Sequence, residues 1–241
     1  MSEFRDSDWT DAGFVAEFLE AADREVPQRQ RMFELTISYY KHFLGGRSRN
    51  SVLDLGCGDG NLVRRLLSAD DTISAVLVDG SADMLKKARD SLAGRDRIRF
   101  INTSFEEMIR SRVELGPFDF VVSSLAIHHL GPSDKRALFD QIFRSLRQGG
   151  HFVNIDGVLP PTTPLEDWYV GLWEAWVRDH CEGPQLSEGL DLIYAHHQAK
   201  AHHDRLETLD HQLESMRAVG FEDVDVIFKD GIFAIYCGRR P

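Results

Sequence analysis

The spacing of apolar positions changes character near residue 50. Before it, Phe14, Phe18 and Leu19 fall on one helix face, and Val26-Pro27 interrupts them. From Arg31 a second stripe of Met32, Leu35, Tyr39 and Phe43 runs to Gly45-Gly46. Spacing by three and four predicts two helices, the second stopped by the glycine pair. From Ser51 short apolar runs alternate with helical stripes. Strands are predicted at Val52–Leu55, Ile73–Val78, Ile98–Ile101, Phe118–Ser123 and His151–Ile155. Between them lie helices at Asn61–Ser68, Ser81–Leu92 and Asp134–Leu146, the last ended by Gly149-Gly150, with a helical turn around Phe105–Ile109. Strands separated by helices of this length imply parallel βαβ units with helices on both faces.

After Asp156 the rhythm breaks. Leu159–Pro164 reads as a stiff connector, followed by a helix at Leu165–Val177 whose stripe includes Trp168, Trp173 and Trp176. A long helical stretch, Glu188–Asp204, and a helix at Leu209–Val219 closed by Gly220 come next. Val224–Phe228 and Phe233–Cys237 flank Lys229-Asp230-Gly231 as a terminal hairpin, so the last strand enters antiparallel to the rest.

Composition narrows the classes. In 241 residues, 42% apolar and 28% charged, no apolar run approaches the roughly 20 residues of a membrane span. Met1–Asp11 is acidic and unlike a secretory signal, so a cytoplasmic protein is expected. Cys57, Cys181 and Cys237 suggest neither a disulfide framework nor a metal knuckle. The net charge of −11, from 28 basic against 39 acidic residues, repels phosphate backbones and disfavours a nucleic-acid partner. Arg24, Arg29, Arg31 and the Arg95–Arg99 stretch are read first as solvated helix ends and loops.

The richest stretch is Asp54-Leu55-Gly56-Cys57-Gly58-Asp59-Gly60, which follows a strand and opens a helix. Glycines there let the backbone approach a ligand closely. The spacing is G-x-G-x-G with an acid on the strand, whereas the dinucleotide fingerprint is G-x-G-x-x-G. An acid would repel a pyrophosphate but suits an amino group. Cys57 reads as a small residue filling the turn. Asp79, about 20 residues on at the end of the second strand, is placed to accept both hydroxyls of a ribose.

Val52–Asn61, Leu77–Leu85, Phe118–Leu130 and Leu146–Ile155 resemble, in order, successive motifs of class I S-adenosylmethionine-dependent methyltransferases. The resemblance covers nearly half the chain and is far more specific for fold and cofactor than for substrate. It implies an α/β, Rossmann-like doubly wound, mostly parallel seven-stranded sheet with an antiparallel last strand. Residues 1–50 would be an N-terminal helical lid, 51–156 the cofactor-binding core, 157–205 a helical insertion completing the lid, and 206–241 a closing helix and hairpin, all of one domain. The cofactor would be S-adenosyl-L-methionine and its product S-adenosyl-L-homocysteine. Gly56, Cys57, Gly58 and Gly60 would cradle the methionine part, with Asp54 near its amino group. Asp79 would hold the ribose, and Gly80 and Met84 would border the adenine. Many relatives carry an acid for the adenine amino group where this chain has Ser104, so a hydroxyl or the backbone would substitute, with Phe105 as an apolar wall. Ser124 would meet the cofactor at the end of the fourth strand.

His128 and His129 follow that strand, where acceptor and sulfonium meet in this fold. A nucleophile with a proton to lose benefits from a base with pKa near 7. One of them, His128 first, is the candidate base or orienter; the alternative is a structural pair at the start of the next helix. Asp156 is either part of the pocket rim or a solvated strand end. The tryptophan helix is read as a packed face that also shapes the acceptor pocket. His196, His197, His202 and His203 lack the spacing of helical metal ligands, so no metal is expected. Leu206–Arg240, with Ala-x-Gly-Phe and an aromatic hairpin, is similar to relatives of the tRNA-uridine carboxy-SAM synthase. The leading expectation is methyl transfer to an O or N nucleophile of a small-molecule acceptor. The alternatives are a carboxy-SAM synthase-like or tRNA-modification enzyme, a non-catalytic cofactor- and partner-binding protein, and, against Asp54, an NAD-linked dehydrogenase. A homodimer is left open.

Overall fold

The structure is a computed structural model that describes Phe4 and residues 7–111, 115–198 and 207–241. Two helices, α1 (Ala12–Glu25) and α2 (Arg29–Phe43), precede the first strand. The strands are β1 (Ser51–Leu55), β2 (Ser74–Asp79), β3 (Ile98–Asn102), β4 (Phe118–Ser124), β5 (Leu146–Gly157), β6 (Glu222–Asp230) and β7 (Phe233–Arg239). The helices between them are α3 (Asn61–Ala69), α4 (Ala82–Ser91), α5 (Phe105–Ser111), α6 (Pro132–Ser145), α7 (Thr163–His180), α8 (Gly183–Gln198) and α9 (Leu209–Val219).

The strands make one sheet in the order β3-β2-β1-β4-β5-β7-β6. The first five pair in parallel, and β7 runs antiparallel to both β5 and β6. The last strand, antiparallel as expected, is inserted between β5 and β6. The order reverses at β1, the position where open α/β sheets leave a crevice beyond their strand ends. Both faces are buried. Val52, Leu77, Phe120 and Val153 pack with Tyr40 of α2 and Leu66 of α3, while Leu53, Val121, Phe152 and Tyr236 pack with Phe139 of α6 and Met216 of α9. Alternate residues of a strand point to opposite faces, so double burial reads as continuous apolar runs.

Two expectations need correction. Gly149-Gly150 does not end a helix: α6 passes directly into β5 at Leu146, which pairs with Phe118, and the register shifts before Phe120 meets His151. Gly149, at φ +73°, sits in that irregularity, the positional use glycine has within strands. The supposed connector is also shorter, because α7 starts at Thr163 and takes Pro164 in its first turn, where the missing N–H costs nothing.

The expected helix at 188–204 starts earlier, at Gly183; His202 and His203 lie outside the described residues, as do the side chains of His196 and His197. On α7 the aromatic stripe divides. Trp173 and Val177 are buried, but Trp168 is 58% exposed. The indoles of Trp173 and Trp176 donate to the carbonyls of Glu25 and Arg24, at 2.6 and 2.8 Å. Those two bonds tie the insertion to the end of α1, above the sheet's carboxyl edge. Among the described residues no helix is long and apolar enough to cross a membrane.

Candidate functional site

A cavity of about 690 Å³ lies over the carboxyl ends of β1, β2, β4 and β5, covered by α1, α7 and α8. Its floor is the glycine loop. Gly56 has φ +66°, and a Cβ there would stand 2.3 Å from that of Ala126, so the loop backbone packs directly on the Ala126 methyl in the turn after β4. Gly58, at φ +55°, would meet only Met84 Sδ at 3.8 Å, which leaves an open cradle facing the cavity. The N–H groups of Gly56 and Cys57 donate to the carbonyl of Val78, fastening the loop to β2.

Two carboxylates frame this cradle. Asp79 accepts the N–H of Gly58 and of Ser81, each at 2.8 Å; burial pushes its carboxyl up and those two bonds pull it back. Asp54 is buried, and its Oδ2 has no hydrogen-bond partner. Burial, with Asp79 and then Asp59 beside it, pushes its pKa up to about 8. A buried oxygen left unpaired costs free energy that a donor in the cavity would recover. The same surroundings hold the Cys57 thiol well above its usual range, which makes it a filler of the turn and a poor thiolate.

Beyond Asp79 the cavity is bordered by Gly80, Met84, Ser104 and Phe105. The ring of Phe4 lies against Gly80, where a Cβ would come within 2.6 Å of it. Ser104 turns out to cap α5: its Oγ accepts the N–H of Glu107, and Glu107 Oε2 accepts the N–H of Ser104, both at 3.2 Å. This reciprocal pair is the S-x-x-E capping box, which the sequence reading passed over. An acid does face the cavity from the same turn, at Glu106.

Ser124 and Ala126 lead from β4 to His128 and His129, in a 3-10 turn. The imidazoles are tilted at 51° to each other, with centroids 4.1 Å apart. His128 Nδ1 lies 2.5 Å from Asp156 Oδ1, and Trp9 Nε1 donates to His129 Nε2 at 3.2 Å. Asp156 is fully buried, contrary to the solvated strand end expected of it. Helix α6 is entered through Gly131 and Pro132, and neither histidine appears as its cap. Much of the remaining wall is apolar and aromatic, with Phe14, Phe18, Phe33, Trp173 and Phe233 lining the cavity.

Arg29 was not singled out as a site residue, yet it is the one Lys or Arg lining the cavity among the described residues. It is nearly buried, pairs with Asp23 and lies over the Phe33 ring, with its Nε buried and unpartnered. Only the fold of α2 against α3 brings it beside the glycine loop. Among the described residues no cluster of three His, Cys, Asp or Glu could hold a metal ion.

The lining fits S-adenosylmethionine. An orphaned carboxylate matches its amino group, an acid at the end of β2 its ribose, and Arg29 a carboxylate, whereas four acids and one cation suit a pyrophosphate poorly. A family model described as a methyltransferase domain matches residues 52–150. The carboxy-S-adenosyl-L-methionine synthase of Nautilia profundicola is 21% identical over 91% of this chain and 88% of its own length. The uncharacterized methyltransferase YrrT of Bacillus subtilis is 34% identical, over 49% of this chain and 54% of its own. Among solved structures, phosphoethanolamine N-methyltransferase 2 of Haemonchus contortus with S-adenosyl-L-methionine aligns at TM-score 0.67 and 18% identity, over 100% of this chain and 60% of that one. Human N-acetylserotonin methyltransferase in complex with SAM aligns at 0.61 and 17%, over 96% and 57%. The chain thus spans nearly all of the synthase but about half of YrrT and under two thirds of these two solved chains. With the glycine loop, the two carboxylates and the sheet order, these matches identify a methyltransferase domain of the class I, S-adenosylmethionine-dependent kind over residues 52–150.

Proposed function

We propose that the chain methylates a hydroxyl or amine of a small, planar, largely apolar acceptor, with His128 as general base. When bound, the cofactor supplies an electrophilic methyl on a sulfonium. In this reading Asp54 takes the cofactor's amino group and Arg29 its carboxylate, Gly56 and Gly58 leave room for the chain between them, and Asp79 accepts the ribose hydroxyls. Gly80, Met84 and Phe105 enclose the adenine, and Glu106 takes its amino group in place of Ser104. Helices α1, α7 and α8 form the lid, whose aromatic walls exclude water and align the acceptor, since displacement at carbon depends chiefly on orientation.

The observation that carries the reading is the 2.5 Å contact between His128 Nδ1 and buried Asp156 beside an aromatic cavity. A carboxylate on Nδ1 orients the ring and raises the basicity of Nε2, which then takes the acceptor's proton. The test is formation of S-adenosylhomocysteine across a panel of phenols, aromatic amines and aliphatic amines. Turnover with phenols that falls at least a hundredfold in His128→Gln supports the base; equal turnover in the variant removes it.

A second reading is kept because similarity to a carboxy-SAM synthase covers most of the chain. That product carries an extra carboxylate and would call for a second cation, where Arg29 alone lines the cavity among the described residues. Mass spectrometry of cofactor incubated with the protein and either a carboxylic-acid donor that can release CO2 or a methyl acceptor separates the two readings.

A further inference from the structure

Asp156 is one end of a buried chain of side chains running away from the cavity. Its Oδ1 accepts from His128 Nδ1 at 2.5 Å and from the N–H of Gly157 at 3.1 Å, and its Oδ2 accepts from Asn154 Nδ2 at 3.2 Å. The same Asn154 amide donates to Tyr236 Oη at 2.6 Å, Tyr236 Oη donates to Gln212 Oε1 at 2.5 Å, and Gln212 Nε2 donates to the carbonyl of Glu207 at 3.4 Å. Asn154 and Tyr236 stand directly opposite each other on β5 and β7, and Gln212 reaches them from α9. Asn154, Asp156, Gln212 and Tyr236 are each fully buried.

The proton positions in this chain follow one from another. A main-chain carbonyl only accepts, so Gln212 must turn its amide nitrogen to Glu207 and its oxygen to Tyr236. Tyr236 must then donate to Gln212 and accept from Asn154. Asn154 is thereby held with its nitrogen toward Asp156; the flipped amide would set an oxygen against a carboxylate. Asp156 can only accept at both oxygens, which leaves the proton of the contact with His128 on Nδ1. Burial costs these groups solvation, and apolar residues of the same shape would pack as stably, so packing alone does not call for a polar layer here. Lys135 is almost fully buried with Nζ 3.8 Å from Glu207 Oε2; burial pushes its pKa down, and Asp156 and Glu207 offset that only in part.

We infer that Asn154, Tyr236 and Gln212 are positioning residues for methyl transfer, a hydrogen-bond chain anchored on the Glu207 carbonyl that makes Asp156 a pure acceptor and fixes His128 in the tautomer with Nε2 unprotonated. The inference rests on His128 being the base, but its structural content is measurable without any acceptor. The experiment is nitrogen NMR of the full chain labelled at histidine, with the His128 signals assigned by their loss in His128→Gln. A single tautomer protonated at Nδ1 is expected in the wild type. Tyr236→Phe should mix the two tautomers and speed exchange of the Nδ1 proton at least tenfold. Because that variant leaves two amides unpaired, Tyr236→Phe combined with Gln212→Leu removes both polar groups at similar volume and should show the same mixing. A wild-type ring protonated at Nε2, or a His128 spectrum unchanged in both variants, would overturn the inference. Full methyl transfer by His128→Gln would instead remove the base while leaving the NMR result standing.

Discussion

Trp9 donates its indole N–H to Nε2 of His129 across 120 positions of sequence, and its ring stands edge-on to Phe14 and Phe18 of α1. The segment ahead of α1 is thereby fastened to the turn that carries His128. His129 must keep Nε2 unprotonated to accept this bond, so in the proposed reading it helps close the cavity while His128 serves the acceptor. Trp9→Phe keeps an aromatic ring, though a smaller one, and deletes the donor, whose loss is worth about 1 kcal/mol. Steady-state kinetics should show the acceptor KM rising about fivefold, with the affinity for S-adenosylhomocysteine within twofold of the wild type. A weakened product affinity with an unchanged KM would mean that Trp9 serves the cofactor instead.

Asp54 should make cofactor binding depend on pH. Burial lifts its pKa to about 8 in the folded protein, so a proton stays on the folded chain that the unfolded chain has released. The sign is opposite to that of a salt-bridged acid: stability contributed by this group falls as pH rises from roughly 4 to 8. A cationic amino group favours the carboxylate, so binding should expel the proton. Affinity for S-adenosylhomocysteine should therefore rise between about pH 6 and 8, below the range in which an amino-acid amine releases its proton. Calorimetry in buffers of different ionisation enthalpy counts the released proton, and Asp54→Asn should abolish both the release and the slope.

In the proposed reading Asp79 and Arg29 address different parts of the ligand. Asp79→Ala should weaken both S-adenosylhomocysteine and methylthioadenosine by at least tenfold, because both contain the ribose. Arg29→Gln should weaken only the first, because methylthioadenosine has no carboxylate. Equal loss for the two ligands in Arg29→Gln would make it a residue of the lid packing, through Asp23 and Phe33.

Gly56→Ala would set a methyl against Ala126 and force an alanine to φ +66°. Such overpacking with backbone strain costs about 2 kcal/mol or more and should lower the melting temperature and abolish cofactor binding. Gly171→Ala, on α7 with nothing near the added methyl, is the matched control and should be neutral or stabilising by roughly 0.5–1 kcal/mol.

The sequence by itself determined the alternation of strands and helices, the glycine loop between β1 and α3, and Asp79 at the end of β2. Each is a local matter. A strand buried on both faces is a short apolar run, a close-approach turn needs glycine, and an acid ending a strand sits at the sheet's carboxyl edge by construction. The capping box at Ser104 and Glu107 was equally local and readable. What only the tertiary structure decided is which polar groups share the interior. Asp156 looked like a solvated strand end because nothing near it in sequence marks a partner. Its histidine lies 28 positions away and the tyrosine beyond Asn154 lies 82 from that asparagine, while Arg29 reaches the cavity from a helix that precedes the whole sheet. Hydrogen bonds are satisfied in space, and a buried donor needs its acceptor within about 3 Å whatever the separation along the chain, so periodicity cannot announce them.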